Sequence, residues 1–584
     1  MTEPNGQERV YTGIGASPGV ARGTIFVYRV AEEVVPSYDI KVDQVPQEIA
    51  RFEQALIATR QQLHDLQQRI ATGAPTSILD VHLSITQDPA LIETVITRLN
   101  QDKKNVEFIF NEVTRKYVQT LAELSDEFLR ERASDVQDVT RRVLRNLMGH
   151  EMRTLNNLPQ NTIVIAYDLS PSDTSSLDHH HVVGFATDVG SHTSHSAILA
   201  RSMNLPAVVG LHDASQHIRT GDTAILDGYG GSIIISPGEQ TLHIYRELEV
   251  KQHTIEERLA ALHDQPAVTL DGHRVTLAGN IESPDDVPAL QKVGAEGVGL
   301  FRTEFLYLNR KEFPNEQEQY EKYVQAARAM KPHAVVIRTL DLGGDKFHSE
   351  EETPSEINPF LGCRAIRFCL TRPDVFKTQL RALLRASSEG NVKIMYPMIS
   401  GVAELIRANE ILDEVMADLR RENVPFDEEV QVGAMLEVPS AALTAETMAN
   451  EVDFFSIGSN DLIQYTMAVD RVNEKVANLY EPTHPAILRL IRNCVEAAHN
   501  NNIWIGVCGE IAGDPLYIPL LVGMGIDELS LSAASLPRIK EVIRRLTLSE
   551  AQELAVAALH ATRGREVTAM LTALLRRIDP DLLA

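Results

Sequence analysis

Two different spacings of apolar residues occur along this chain and divide it into regions. Short apolar runs typical of β-strands occur at 24–30 and 162–166, whereas apolar residues between these runs recur at the spacing of an amphipathic helix. We therefore predict a helical subdomain at 45–150. It is inserted into a strand-containing domain made of 1–44 and 151–238.

The second half of the chain is more regular, because eight apolar strand-like segments alternate with helical ones. This alternation is typical of a (β/α)8 barrel, so the predicted fold is α/β with a barrel at 266–584. A polar, helix-prone stretch at 239–265 has little apolar surface to bury, and we predict that it connects the two bodies. The predicted strands lie at 275–278, 297–301, 335–339, 392–396, 431–436, 453–457, 503–507 and 526–531.

Polar and charged residues follow the predicted barrel strands at their C-terminal ends. In (β/α)8 barrels, these ends carry the chemistry. One such residue is most often a salt-bridge partner or a helix cap, but their concentration on one rim favours a polyanion-binding site. The rim residues are Asn280, Glu282, Arg302, Glu304, Arg338, Asp341, Pro397, Glu437, Asn460, Asp461, Cys508, Glu510 and Ser532.

Four arginines near this rim are candidate ligands for the polyanion. Guanidinium groups stay charged and match the geometry of phosphate and carboxylate better than lysine does. The predicted ligand therefore carries both of these groups. The four residues are Arg302, Arg338, Arg364 and Arg471.

Two carboxylates and one thiol complete the candidate barrel site. Glu437 and Asp461 end the fifth and sixth strands and offer the hard oxygen ligands that Mg²⁺ prefers, so we predict an ion that bridges them to ligand oxygens. Cys508 ends the seventh strand. An ordinary thiol is protonated at neutral pH, which makes Cys508 a candidate proton donor, and a buried structural cysteine is the alternative.

The stretch from Gly190 to Gly210 places His195 in a polar loop directly before an apolar run. Thr193 and Ser194 suit a helix N-cap, so His195 is expected in the first helical turn. Free N–H groups and the helix dipole there favour an anion, and a neutral imidazole could accept a phosphoryl group. A solvated or capping histidine is the commoner role in such a loop.

Composition excludes several classes of protein. A formal net charge of −26 argues against binding to nucleic acid or to an anionic membrane surface. The four cysteines have no metal-finger spacing, and no apolar run is long enough for a signal core or a membrane span, so a cytoplasmic protein is expected. No nucleotide-binding P-loop is present, because GGDK at Gly343 is too short.

Five motifs in a fixed order resemble those of one family, enzyme I of the bacterial sugar phosphotransferase system, which is the phosphoenolpyruvate–protein phosphotransferase. The resemblance covers nearly the whole chain and includes GIGASPGVARG at Gly13 and AYDLSPSDT at Ala166. The five motifs are TSHSAILAR at Thr193, NPFLGCRAIR at Asn358, MLEVPSA at Met435, FSIGSNDLIQYTMAVDR at Phe455 and VCGE at Val507.

The resemblance implies a role for each matching residue. His195 would accept the phosphoryl group of phosphoenolpyruvate, and Cys508 would protonate the enolate that remains. Glu437 and Asp461 would bind Mg²⁺. The residues implied to hold the phosphate and carboxylate of the substrate are Arg302, Arg338, Arg364, Asn460, Asp461 and Arg471.

The resemblance also implies partners. The family passes its phosphoryl group to a histidine of the small carrier protein HPr, which docks on the inserted helical subdomain, and it forms homodimers through the barrel. Three alternatives remain. An ATP-using relative such as pyruvate phosphate dikinase needs a nucleotide domain that this chain has no room for. The nitrogen-regulatory form of enzyme I usually carries an added N-terminal sensory domain, whereas the first motif begins here at Gly13. The third is a catalytically silent scaffold.

One part of the histidine loop departs from the family pattern. The family generally has a second glycine and a basic residue before Thr-Ser-His, and Ser191 and His192 stand there in this chain. His192 is therefore either a rival phosphoacceptor or a titratable substitute for the missing cation.

Overall fold

A computed structural model of the chain divides into two compact units, Met1–Gln252 and His253–Ala584. In the described part of the chain, no helix combines the length and the apolar character that crossing a membrane requires. The structure describes residues 8–28, 35–70, 77–122, 127–149, 158–169, 177, 181–190, 194–203, 205–307, 310, 312–343, 358–471, 473 and 475–580.

A mixed sheet of eight strands forms the centre of the first unit, in the order β1-β8-β7-β3-β4-β5-β6-β2. The neighbours from β3 to β6 are parallel, and the other pairs are antiparallel. Apolar side chains from both faces of the sheet form separate cores. The strands are β1 (Arg9–Thr12), β2 (Ile14–Ser17), β3 (Val20–Tyr28), β4 (Thr162–Ala166), β5 (Val182–Thr187), β6 (Ala207–Val209), β7 (Thr223–Asp227) and β8 (Ser232–Ile235).

Among the described residues between β3 and β4, the chain forms five helices. Their apolar stripes meet in a common core, where the rings of Phe52 and Phe110 lie 5.3 Å apart. Burial of such stripes stabilises each helix far more than its intrinsic propensity does. The helices are α1 (Val45–Ile70), α2 (Ser77–Gln87), α3 (Pro89–Asp102), α4 (Val106–Ala122) and α5 (Glu127–Met148).

The part of the first unit that the structure describes after β4 contains the helices α6 (His195–Ser202), α7 (Ala214–His217) and α8, which begins there and runs over Glu239–Ala260. The first unit holds the beginning of α8, since Tyr245 donates to Asp227 Oδ2 at 2.9 Å. Its last turns belong to the second unit, where Arg258 pairs with Glu541 at 2.6 Å. The buried Lys540 ammonium donates to the carbonyls of Leu262, His263 and Gly294, at 3.0–3.2 Å, and so fixes the chain just after α8.

The second unit is a closed barrel of eight parallel strands, which confirms the predicted (β/α)8 fold. Its interior is filled by side chains that include Leu300, Met395 and Phe454, so the barrel is a packed core. The strands are β9 (Thr276–Ile281), β10 (Gly297–Phe301), β11 (Ala334–Arg338), β12 (Val392–Tyr396), β13 (Val432–Leu436), β14 (Phe454–Ile457), β15 (Trp504–Val507) and β16 (Glu528–Leu531).

Amphipathic helices cover the outside of the barrel, and their apolar faces form its outer core. They are α9 (Val287–Lys292), α10 (Glu316–Met330), α11 (Ile366–Thr371), α12 (Pro373–Ser387), α13 (Val402–Glu422), α14 (Pro439–Leu443), α15 (Ala445–Met448), α16 (Ser459–Met467), α17 (Pro485–Asn500), α18 (Ile518–Met524), α19 (Leu536–Arg545), α20 (Leu548–His560) and α21 (Gly564–Ile578). Short 3-10 helices occur at Val42–Gln44, Pro284–Asp286, Glu304–Leu306, Pro359–Leu361, Ala477–Leu479 and Glu510–Gly513.

Candidate active site

A network of buried charges lies at the C-terminal end of the barrel strands. Arg338 is the last residue of β11, and its guanidinium donates to Glu304 Oε1 at 3.0 Å and pairs with Asp341 Oδ2 at 3.0 Å. Arg364 contacts the other oxygen of Asp341 at 2.8 Å and approaches Asp461 Oδ2 at 3.7 Å. Asp341 therefore bridges the two guanidiniums and holds them side by side.

Burial opposes every charge in this network. For Arg338, burial acts to lower the pKa, but the carboxylates of Glu304, Asp341 and Glu437 outweigh it, and the pKa rises above its usual range. The arginine therefore stays charged. A buried guanidinium that has already lost its water can bind an incoming anion with little further desolvation.

Glu437 follows β13 and is only 2 % exposed. Its Oε1 accepts a hydrogen bond from the backbone N–H of Met398 at 2.6 Å. Burial, together with the nearby Asp341 and Asp461, raises the pKa of Glu437 well above its usual range. Burial is also the main reason why the pKa of Asp461 is raised. The positive charge around these two carboxylates is therefore too small to offset the effect of burial on their pKa.

A divalent cation fits this donor set. The buried network has an excess of two negative charges when every group is ionised, because it contains four carboxylates and two guanidiniums: Glu304, Asp341, Glu437, Asp461, Arg338 and Arg364. No three His, Cys, Asp or Glu side chains among the described residues are arranged to hold a metal ion by themselves. The carboxylates of Glu437 and Asp461 offer the oxygen ligands that Mg²⁺ prefers, and an ion bound to these two alone would need further oxygen ligands.

Cys508 lies immediately after β15, with its side chain among the barrel-interior residues. It is 3 % exposed, and its thiol donates a long hydrogen bond, 3.6 Å, to the carbonyl of Ile457. Burial raises the pKa of this thiol to about 11, although Ser456, Arg338 and Arg302 act in the opposite direction. At neutral pH the thiol therefore keeps its proton and can give it to a stronger base.

The remaining two predicted arginines form exposed ion pairs. Arg302 contacts Glu282 at 3.1 Å, and Arg471 contacts Glu510 at 3.2 Å. The carboxylate side chains are 71 % and 74 % exposed. A cavity of about 520 Å³ opens here, and its lining includes Asn280, Arg302, Asn460, Cys508 and Glu510. The exposed Arg302, the buried thiol and two amide side chains thus share one cavity.

In the first unit, the helix α6 begins at His195, as the sequence predicts. Ser194 Oγ accepts from the N–H of Ala197 at 3.4 Å, which satisfies one free donor of the first turn. Arg201 at the other end donates to the carbonyl of Ala16 in β2 at 3.0 Å and ties the helix to the sheet. Residues 191–193 of the same loop lie outside the described residues.

The predicted site residues therefore fall on two units. His195 belongs to the first unit. The predicted barrel residues lie in the second unit, at one end of the barrel. Most of them follow the ends of strands, whereas Arg364 lies in the loop before α11 and Arg471 in the loop after α16. Sequence reasoning placed Glu304, Asp341 and Glu510 on the rim but gave them no role. The structure makes them the carboxylate partners of the arginines.

Three consecutive parts of the chain match the family models of phosphoenolpyruvate (PEP)-utilising enzymes. Residues 12–132 match the N-terminal domain, 158–231 the mobile domain, and 256–548 the PEP-binding domain. The phosphoenolpyruvate-protein phosphotransferase of Haemophilus influenzae is 42 % identical over 95 % of this chain and 97 % of its own length. The chain belongs to this family.

Two further relatives of the same name are about equally similar. The Bacillus subtilis protein is 43 % identical over 95 % of this chain and 98 % of its own, and the Staphylococcus carnosus protein is 41 % identical over 95 % and 97 %. The resemblance to enzyme I is confirmed. These names favour enzyme I itself over its nitrogen-regulatory form. Membership of the PEP-utilising enzymes is also consistent with a divalent metal cofactor.

Proposed function

We propose that this protein transfers the phosphoryl group of phosphoenolpyruvate first to its own His195 and then to a histidine of an HPr-type carrier, as the first step of sugar uptake. In the first transfer, Nε2 of His195 forms a bond to phosphorus while the bond from phosphorus to the enol oxygen breaks. The products are phosphohistidine and the enolate of pyruvate. The enolate carbon takes the proton of Cys508, and the thiolate later regains a proton from solvent.

The observation that carries this proposal is that guanidiniums and a protonated thiol lie together at one end of the barrel. Phosphoenolpyruvate carries a phosphate and a carboxylate, and forked guanidiniums bind both groups well. Arg302, Arg338, Arg364 and Arg471 supply the cations, and Asn460 supplies an amide donor. Cys508 can supply the proton because burial raises the pKa of its thiol to about 11, far above neutral pH.

Mg²⁺ is the proposed cofactor, with Glu437 and Asp461 as its protein ligands. Bound there, it would neutralise charge on the substrate oxygens. The carboxylates themselves are positioned without it, since the N–H of Met398 holds Glu437 and Arg364 faces Asp461.

We further propose that the carrier docks on the helical insertion, at 45–150. A cleft of about 1460 Å³ supports this assignment, since it lies between α4 and α5 on one side and the sheet-containing body on the other. Arg115, Lys116 and Arg141 line it and offer positive charge to a phosphorylated histidine, beside the acidic Glu112 and Asp168. Dimerisation through the barrel and a cytoplasmic location belong to the same proposal and rest on the family.

Because His195 and Cys508 belong to different units, we propose that the phosphohistidine domain (1–44 and 151–238) swings about the connector at 239–265 between the two transfers. A covalent crosslink between the units is expected to stop overall transfer, whereas undiminished turnover would contradict the swing.

The deciding experiment incubates the protein with phosphoenolpyruvate and Mg²⁺ without nucleotide, and then measures pyruvate and acid-labile phosphohistidine. We expect both products from the wild-type chain. We expect His195→Ala to abolish them and His192→Ala only to slow their formation. The reverse result would make His192 the acceptor. A chain that forms neither product would be a silent scaffold.

A further inference from the structure

Glu510 lies on the wall of the barrel cavity, two residues after Cys508. Gly509 makes this possible, because a Cβ atom there would collide with the side chain of Ser459 and lie 2.9 Å from its backbone nitrogen. The chain therefore passes closely over the start of α16. The N–H of Glu510 donates to Asn460 Oδ1 at 2.9 Å, which fixes the backbone beside that amide.

The Glu510 carboxylate turns back onto the same group of donors. Its Oε1 accepts from Asn460 Nδ2 at 3.1 Å and from Arg471 Nη1 at 3.2 Å. Both donors are ones that the proposed function assigns to the substrate. Glu282 forms a similar exposed pair with Arg302, which is the one side-chain donor that it contacts among the described residues. Glu510 thus occupies two proposed substrate donors at once with a single anionic oxygen.

We propose that Glu510 is an internal competitor for the substrate-binding donors, which it holds until a more highly charged anion displaces it. The inference rests on the proposed function and adds to it a residue that sets how tightly the site holds an anion. The side chain is 74 % exposed, so it can turn into water at small cost when the substrate arrives.

The chemistry of the exchange predicts which ligands succeed. Pyruvate offers only a carboxylate, so it would replace one carboxylate by another and gain little. Phosphoenolpyruvate brings a phosphate with more charge and more acceptor oxygens, and it gains from the exchange. Displacing Glu510 costs both ligands the same free energy, so the ligand with fewer contacts of its own, pyruvate, is held too weakly to stay. After transfer, its return to Asn460 and Arg471 would help pyruvate to leave.

The test compares binding of phosphoenolpyruvate and of pyruvate, each with Mg²⁺, by calorimetry in a His195→Ala background that cannot transfer the phosphoryl group. We expect Glu510→Gln to tighten phosphoenolpyruvate binding by about twofold to fivefold, the range for an exposed ion pair. Pyruvate should gain by a similar factor, because it has to displace the same carboxylate. Both gains should shrink as salt is added.

Glu553→Gln on α20 is the matched control, since it removes the same charge from an exposed residue away from the rim. Glu510→Ala should behave like Glu510→Gln, and it tests whether the glutamine amide still occupies Arg471. Weaker substrate binding in both Glu510 variants, or binding equal to that of the control, would overturn the inference alone. A His195→Ala protein that binds no phosphoenolpyruvate would also overturn the proposed function.

Discussion

Both halves of the barrel rim contain arginine–carboxylate ion pairs, but these pairs are buried in one half and exposed in the other. On one side, Arg338 and Arg364 are 11 % and 13 % exposed and share Asp341 in a buried network. On the other side, Arg302 and Arg471 are 40 % and 36 % exposed and pair with glutamates that are still more exposed. The buried half has lost its water on folding, whereas the exposed half keeps most of its water until a ligand binds.

This difference separates two tasks. A buried ion pair cannot rearrange cheaply, because an isolated charge there would lack both water and a partner. It therefore fixes where an anion binds. An exposed pair contributes little to folding and can exchange its partner, so it suits a role in ligand selection and release. Cys508 lies where the halves meet. It lines the cavity beside Arg302, and the charge of Arg338 acts to lower the pKa of its thiol.

The largest expected effect concerns Cys508 itself. Loss of a proton donor generally lowers a rate by about 10²–10⁴-fold, and we expect Cys508→Ala to lower kcat for pyruvate formation by that factor. KM for phosphoenolpyruvate should change little, because the arginines remain. Cys494→Ala is the control. Cys494 is also a buried thiol, and burial raises its pKa to about 12, but it lies on the helix α17 and not at the end of a barrel strand. Equal kcat in the two variants would contradict a role for Cys508 as the acid.

Arg338→Met should show the structural cost of breaking the buried half. It leaves Glu304 and Asp341 with one partner fewer, and breaking a buried pair typically costs about 3–5 kcal/mol. Trp504 is the single tryptophan of the chain and lies in the barrel, so its fluorescence in urea reports barrel unfolding. Replacing Glu304 by Gln in the same chain should recover part of the loss. A wild-type urea midpoint would show that the network is not essential to the fold.

A carboxylate at the other end of the barrel tests burial without the crowding of the rim. Burial raises the pKa of Glu528 from 4.5 to about 7, with Lys393 opposing and Asp527 and Glu296 reinforcing the shift. Because the folded state holds this proton more tightly, its stabilising contribution is complete below pH 4.5 and is lost as pH rises through 7.

We therefore expect barrel stability to fall between these pH values by up to about 3 kcal/mol more in the wild type than in Glu528→Gln. The measurement is the urea midpoint of Trp504 fluorescence as a function of pH. Parallel pH profiles for the two proteins would show that Glu528 does not titrate in this range.

Arg302→Met should have the smallest effect on folding, below about 1 kcal/mol, because its ion pair is exposed. The same urea titration applies, which makes this variant the direct counterpart of Arg338→Met. A loss as large as that of Arg338→Met would remove the distinction between the two halves of the rim.

The barrel strands could be predicted from sequence because each is a continuous apolar run. The predictions at 297–301 and 392–396 coincide with β10 and β12. The strands β1, β2 and β6 were not predicted, since RVYT and IGAS contain no continuous apolar run and AVV is only three residues long. They form because distant partners pair with them, as β2 does with β6. Their existence is decided by tertiary contacts.

The site was predictable in its location but not in its pairings. The ends of parallel strands must lie together, so Arg338 and Glu437 could be assigned to one rim. The contact of Arg338 with Glu304 depends on how adjacent loops turn after the barrel closes, and spacing along the chain does not encode it. Glu510 was missed as a competitor for the same reason, since its partner Asn460 is 50 residues away in sequence.

The attachment of α8 has a mechanical consequence for the proposed swing. Tyr245 holds the beginning of this helix to the first unit, and Arg258 with Lys540 holds its end to the second. Between Tyr245 and Arg258 there are about 20 Å of helix at 1.5 Å per residue. In the proposed swing, any rotation would have to be absorbed as bending or twisting within this short arm.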